Sequence, residues 1–199
     1  MGANERRSRK PVVICICGMA GSGKSTVARR IAEKYGLEYY SGGEALKGLA
    51  IEQGYKPSEQ GWWESPEGMR FLRERSGDSN FDKAVDEKLL EFAEKGNVLL
   101  DSWTMPWLVK KGFKIWLEAS VKIRAERIAQ RDGIGVRQAL DALRKKEEQT
   151  QAIYKKLYGF SLGEDFTPFS LILDTNCLNA EEVFLVLCKV MDNIIFGMR

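Results

Sequence analysis

Residues 18–26 read Gly18-Met19-Ala20-Gly21-Ser22-Gly23-Lys24-Ser25-Thr26, the spacing G-x-x-x-x-G-K-[ST]. Glycines at this spacing let successive backbone N–H groups turn inward around an anion. Lys24 can then reach the β- and γ-phosphates of a nucleoside triphosphate, and the Ser25 hydroxyl can sit on Mg²⁺. The chemistry implied is binding of a nucleoside triphosphate with Mg²⁺. The competing reading is a glycine-rich turn that carries a lysine by chance. Context favours the phosphate cradle. Val12-Val13-Ile14-Cys15-Ile16-Cys17 is a β-branched apolar run that reads as a buried strand. Ser25 to Tyr35 carries Val27, Ile31 and Ala32 on one helical face. A helix N-terminus behind the loop adds partial positive charge.

Other residues could act with this loop. Asn97-Val98-Leu99-Leu100-Asp101 is an apolar strand ending in a carboxylate. Asp101 can hold Mg²⁺ or orient an acceptor. Many buried strands end in Asp only as a turn residue, and Asp174 reads that way. Arg124, Arg127 and Arg131 fall at i, i+3 and i+7 on one helical face. An arginine at a transferring phosphate is worth about 10³–10⁵ in rate. Their bland reading is a solvated stripe paired with Glu126 and Asp132. Arg131 precedes the break Gly133-Ile134-Gly135, which suits a hinged lid. Trp62, Trp63, Trp103 and Trp107 are read as loop or strand-end residues. They are packed anchors or a stacking platform for an acceptor.

Composition narrows the options. The chain has 199 residues, 44 % of them hydrophobic, enough for one domain with a real core. Histidine is absent, which removes Ser-His triads, His metal sites and His bases. The net charge of +3 matches the excess in residues 1–10, where Arg6, Arg7, Arg9 and Lys10 face Glu5. That tail reads as a solvated terminus, with a nucleic-acid-contacting arm as the lesser reading. No apolar run is long enough for a membrane span, and no secretory signal precedes Pro11. Cys15, Cys17, Cys177 and Cys188 are expected to be buried reduced thiols of a cytoplasmic protein.

The remaining pattern alternates short strands with helices. A second strand covers Leu37–Tyr40, and a helix runs from about Glu44 to Gln53. Residues 54–77 read as irregular. A helix covers Asn80 to Lys95, capped by Gly96. Strands follow at Phe113–Leu117 and Phe169–Leu173. Helices cover Val121–Arg131 and Val136–Tyr158, and a last one begins after Asn179. Such alternation gives an α/β fold: a parallel sheet covered by helices, with ligands at the C-terminal strand ends.

The chain resembles the nucleoside monophosphate kinase superfamily, and more closely the archaeal-type cytidylate kinases. The likeness is carried by residues 18–26, Ser41-Gly42-Gly43-Glu44, Phe81-Asp82-Lys83-Ala84-Val85-Asp86 and Lys114-Ile115-Trp116-Leu117-Glu118-Ala119. It continues through Arg124-Ala125-Glu126-Arg127-Ile128-Ala129, Arg131-Asp132-Gly133-Ile134, Lys155-Lys156-Leu157-Tyr158-Gly159 and Leu173-Asp174-Thr175. It implies a three-layer P-loop fold with a five-stranded parallel sheet. It also implies a helical acceptor-binding insert (about 42–80) and a short lid (about 131–150) in one domain over 11–199. ATP would be the donor, Mg²⁺ the metal, and CMP or dCMP the acceptor. A monomer or weak dimer is expected.

The chain also departs from that family. Family members usually have Glu/Asp-Gly-Arg where this chain has Asp101-Ser102-Trp103. Lys47, Glu87-Lys88-Leu89, Lys146 and Ile153 stand where family arginines or an Arg-Arg-Gln stretch occur. Lysine does not make the bidentate fork of arginine. Arg70, Arg73 and Arg75 are candidates to replace those contacts, or a surface charge run. The resulting assignment makes Lys24, Asp101, Arg127 and Arg131 catalytic. Ser41, Gly43, Lys47, Arg70, Arg73 and Trp103 would line the acceptor site. Two readings stand beside it: a kinase for a non-nucleotide acceptor, and a P-loop ATPase or nucleotide-gated assembly factor that contacts RNA or protein.

Overall fold

In the computed structural model, which describes residues 11–57 and 61–197, five short segments pair as parallel strands. They are β1 (Val13–Cys17), β2 (Glu38–Ser41), β3 (Val98–Asp101), β4 (Phe113–Glu118) and β5 (Leu171–Asp174), ordered β2-β3-β1-β4-β5. The basic tail at 1–10 lies outside the described residues. β1 is the middle strand, so the loop at its end opens at the centre of the sheet edge. Register does the rest. Asp101 pairs with Ile16 on one side and Ser41 on the other, which aligns three chain ends in one row.

Side chains alternate along β1 because successive Cβ atoms point to opposite faces. Ile14 and Ile16 face one layer, with Leu99, Ile115 and Leu117. Two helices cover that layer: α1 (Lys24–Tyr35) through Val27 and Ile31, and the C-terminal helix (Ala180–Ile194) through Val183, Leu187 and Met191. Cys15 and Cys17 face the other layer. There they meet α2 (Gly42–Glu52), α3 (Pro66–Gly77), α4 (Asn80–Lys95) and α5 (Met105–Leu108). The long helix also packs on that side through Ile153 and Tyr154. Helices on both faces of a parallel sheet make the three-layer α/β fold anticipated from the alternation.

The stretch at 54–77 is a correction. Trp62–Glu64 is a 3₁₀ turn and Pro66–Gly77 is helix. Ser65 caps that helix by accepting from Gly68 N at 3.2 Å, and Pro66 sits at its first position, where a missing N–H costs nothing. Its inner face is Phe71, Leu72 and Arg75. The helix α6 (Val121–Asp132) is capped by Gly133, and α7 (Val136–Tyr158) begins after Ile134 and Gly135. The C-terminal helix, α8, has a full capping box between Asn179 and Glu182. β5 is shorter than expected, because Phe169 turns into an aromatic cluster against Trp116 and Trp107 instead of extending the strand. Cys15, Cys17 and Cys188 are buried, but Cys177 is exposed. Burial pushes the Cys15 thiol up to about 12 against the opposing Lys114 charge, so it stays protonated. Among the described residues no helix is long and apolar enough to cross a membrane.

Candidate active site

The loop between β1 and α1 is built so that its backbone can close around a ligand. Gly18 has φ +153°, and a Cβ there would lie 2.5 Å from the Leu117 carbonyl. Gly21 has φ +79°, and its Cβ would meet the Arg124 carbonyl at 2.6 Å. Only glycine fits at both. Gly23 caps α1 with no side-chain hydrogen bond, and no acid lies in the first turn. The first N–H groups of α1 are therefore left for an anion. The Ser22 hydroxyl is buried, has no hydrogen-bond partner among the described residues, and lines the space in front of the loop. An orphaned hydroxyl in such a cradle fits a phosphate acceptor atom.

Two cavities meet at this loop. One, of about 570 Å³, is lined by residues 21–27 and by Arg127, Leu178, Asn179 and Val183. The other, of about 250 Å³, lies over β2, β3 and α4 and includes Ser41, Gly43, Trp63, Asp101, Trp103 and Lys146. Gly21, Lys24, Ser25, Ile128 and Arg131 line both. Those five residues form a common wall.

The arginine stripe of α6 divides into three tasks. Arg124 is 7 % exposed. It donates to Ala119 O at 2.9 Å and Ala20 O at 3.0 Å, and pairs with Glu147. It clamps the phosphate loop to α6 and α7 with four of its five N–H donors, and it lines neither cavity. That corrects the expectation that all three arginines share one job. Arg127 donates to Ser22 O at 3.3 Å, Thr175 Oγ1 at 3.1 Å, and the carbonyls of Thr175 and Leu178 at 2.6 and 3.3 Å. It ties the loop to the start of α8 while lining the larger cavity. Arg131 faces the common wall, held by Asp132 at 2.6 Å and Glu64 at 3.3 Å.

Asp101 is buried and lines the smaller cavity. Tyr39 donates its hydroxyl to Asp101 Oδ2 at 3.0 Å. Ser25 and Asp101 thus share one cavity. No cluster of three or more His, Cys, Asp or Glu stands among the described residues. This donor set suits Mg²⁺, which takes one or two protein oxygens and completes its shell with phosphates and water.

The acceptor-side residues fare unevenly. Ser41 and Gly43 line the smaller cavity, and Ser41 also caps α2 by accepting from Glu44 N at 3.3 Å. Trp103 lines it too, donating its indole N–H to Gly18 O at 2.6 Å. Trp63 joins it there. Trp62 and Trp107 do not: Trp62 packs on Phe71 in the core, and Trp107 stacks on Phe160. Lys47 lies outside the cavity lining. So do Arg70, which lies over the Tyr55 ring and pairs with Glu67, and the exposed Arg73. Of that arginine group, Arg75 is the one that turns in. It is 3 % exposed, bidentate to Asp82 at 2.7 Å twice, and bonded to Tyr154 Oη at 3.0 Å. Asp174 accepts from Asn176 N as a turn residue.

Lys146 enters the cavity unannounced as a site residue. Its ammonium lies 4.9 Å from the Trp63 ring and 5.8 Å from the Trp103 ring, and 3.6 Å from Glu64 Oε1. Burial pulls its pKa down to about 8, Glu64 opposes that, and Lys24, Arg131 and Arg75 add to it. The signal was present: Ala139, Leu143, Thr150 and Ile153 are the buried stripe of α7, and Lys146 falls on that stripe at helical spacing. Asp86 also lines the cavity, accepting from Thr104 Oγ1 at 2.5 Å and Tyr158 Oη at 2.7 Å. Burial lifts its pKa to about 6 against those two hydrogen bonds.

Comparison with known proteins agrees with this geometry. Residues 13–177 match the model of the cytidylate kinase-like family. The chain is 33 % identical to the cytidylate kinase of Pyrococcus horikoshii over 184 residues, covering 92 % of this chain and 90 % of that one. It is 31 % identical to the cytidylate kinase of Methanocaldococcus jannaschii, covering 92 % and 99 %. Among solved structures, the shikimate kinase of Bacteroides thetaiotaomicron shares the fold, with a TM-score of 0.55 at 18 % identity over 92 % of this chain and 99 % of that one. A phosphate cradle between two cavities, inside a fold and sequence of this kind, leads to one assignment: the chain belongs to the cytidylate kinase-like family and is a P-loop kinase of the nucleoside monophosphate type.

Proposed function

We propose that the enzyme transfers the γ-phosphoryl group of ATP to CMP or dCMP. The observation that carries this reading is the common wall between the two cavities. A donor in the larger cavity and an acceptor in the smaller one would meet at Lys24 and Arg131. An acceptor phosphate oxygen attacks the γ-phosphorus, and the bond from that phosphorus to the β–γ bridging oxygen breaks. ADP leaves, and the acceptor becomes a diphosphate. The attacking oxygen is already anionic, so no general base is needed, which suits a chain without histidine.

The catalytic load is positioning and charge neutralisation. The loop N–H groups and Lys24 would hold the donor phosphates. Arg131 would meet the charge spread over the transferring group, and Lys146 the acceptor phosphate. Arg127 would keep the loop and the donor cavity in register. Ser41, Gly43 and Trp103 would line the acceptor. Ser25 and Asp101 would hold Mg²⁺, which would offset phosphate charge when bound. The segment 42–80 would serve as the acceptor-binding insert and 131–150 as the lid. The test is ADP release from Mg-ATP with CMP, dCMP, UMP, AMP, GMP or no acceptor. Turnover that depends on CMP or dCMP supports the reading. ADP release that ignores every nucleotide overturns it.

A further inference from the structure

The smaller cavity holds two buried carboxylates one helical turn apart on α4, and their surroundings differ. Asp82 is neutralised: Arg75 grips both its oxygens. Asp86 is not. It is 6 % exposed, and its hydrogen-bond partners among the described residues are the Thr104 and Tyr158 hydroxyls, one on each oxygen. A carboxylate offers about four acceptor sites, so two donors leave about two unfilled. A buried charge without an ion pair of its own is costly to keep, and the Arg75 charge acts on Asp86 only at a distance. The rise of its pKa to about 6, from burial first, expresses that cost. A cost of this kind at a ligand cavity points to a ligand group that completes the site.

The cavity around Asp86 says which group. Leu46 and Val85 supply apolar wall, and Ser102 and Tyr154 line the cavity too. Lys24, Arg131 and Lys146 line the same cavity, and their charges suit a phosphate. A ligand that satisfies both sets would carry an anionic head and present hydrogen-bond donors to an acid. Cytosine carries a donor at its N4 amino group, whereas uracil carries a carbonyl acceptor there, and Asp accepts well from N4. Carbonyl oxygen against carboxylate would set two acceptors face to face.

We infer that the Asp86 carboxylate reads the exocyclic amino group of the acceptor base and so selects amino-bearing over carbonyl-bearing pyrimidine nucleotides. This rests on the pyrimidine monophosphate reading above. Asp86 is a specificity residue. Thr104 and Tyr158 position it, and the Arg75–Asp82 pair keeps the neighbouring acid from competing for the amino group.

The experiment removes the amino group from either side. kcat/KM is measured for CMP, UMP and the 4-deamino analogue of CMP, in the wild-type enzyme and in Asp86→Asn, with ATP binding as a control. In the wild type, loss of the amino group is expected to cost about 10- to 150-fold, the factor a charge-assisted hydrogen bond carries. In Asp86→Asn the same loss is expected to cost under about threefold, with ATP affinity unchanged. An equal penalty in both proteins overturns the inference, as does a wild type indifferent to the amino group. Wild type that turns over no pyrimidine nucleotide instead overturns the acceptor reading itself. If Asp86→Asn does not fold, Tyr158→Phe replaces it. Its CMP-to-UMP ratio is expected to fall with thermal stability retained, and an unchanged ratio overturns the inference.

Discussion

Lys146→Arg removes a titration that the wild-type cavity contains. At 3.6 Å, Glu64 attracts the Lys146 ammonium by about 4–5 kcal/mol at an effective dielectric of about 20. Even so the pKa lies down at about 8, so dehydration of the ammonium and the cations Lys24, Arg131 and Arg75 together outweigh Glu64. The sign follows. The charged form is full below pH 8 and is lost above it. At that pKa the protonated fraction falls from about nine-tenths at pH 7 to about one-tenth at pH 9. If the ammonium holds the acceptor phosphate, kcat/KM for CMP falls about tenfold over that span at saturating Mg-ATP. A phosphate monoester loses its second proton near pH 6, so the acceptor adds no break there. Arginine stays charged throughout, so the variant is expected to have a flat profile from pH 7 to 9. A flat wild-type profile, or the same fall in Lys146→Arg, would refute the argument.

Two other outcomes follow from the same side chains. Lys24→Ala is expected to abolish ATP binding while circular dichroism and thermal stability stay near wild type, because the lysine lines both cavities rather than the core; normal titration with Mg-ATP in calorimetry would remove the phosphate-cradle assignment. Arg75→Met strands Asp82 as a buried charge and is expected to cost about 3–5 kcal/mol. Adding Asp82→Leu should return most of that stability in urea unfolding, and a double variant as unstable as the single one would contradict the pairing.

The parts of this protein legible in its sequence are those set by local rules. The glycine spacing of residues 18–26, the apolar strands and the Asn179 cap each depend on neighbours a few residues away, and each stands where the pattern put it. Strand ends were less legible. Whether Leu37 or Glu38 opens β2 is decided by its register on β3. The helix over Pro66–Gly77 was hidden by its glycines and surrounding tryptophans, although Ser65-Pro66 is a start signal. Missing it left Arg70, Arg73 and Arg75 equivalent. On a helix they are not: Arg75 follows Phe71 by one turn and shares its buried face. Tertiary partners likewise decide which of Arg124, Arg127 and Arg131 is free to face a ligand, because the competing acceptors come from residues far along the chain.

The common wall also bears on how such a site can change over time. A substitution in Gly21, Lys24, Ser25, Ile128 or Arg131 touches both cavities, so it alters donor and acceptor together. Asp82, Asp86 and Arg75 touch the smaller cavity alone. New acceptors are therefore reachable by small steps at the far end, while phosphoryl transfer stays intact at the wall. The architecture separates what is free to drift from what is fixed, and Ser102, Trp103 and Lys146, three of this chain's departures from its family's pattern, line the smaller cavity alone.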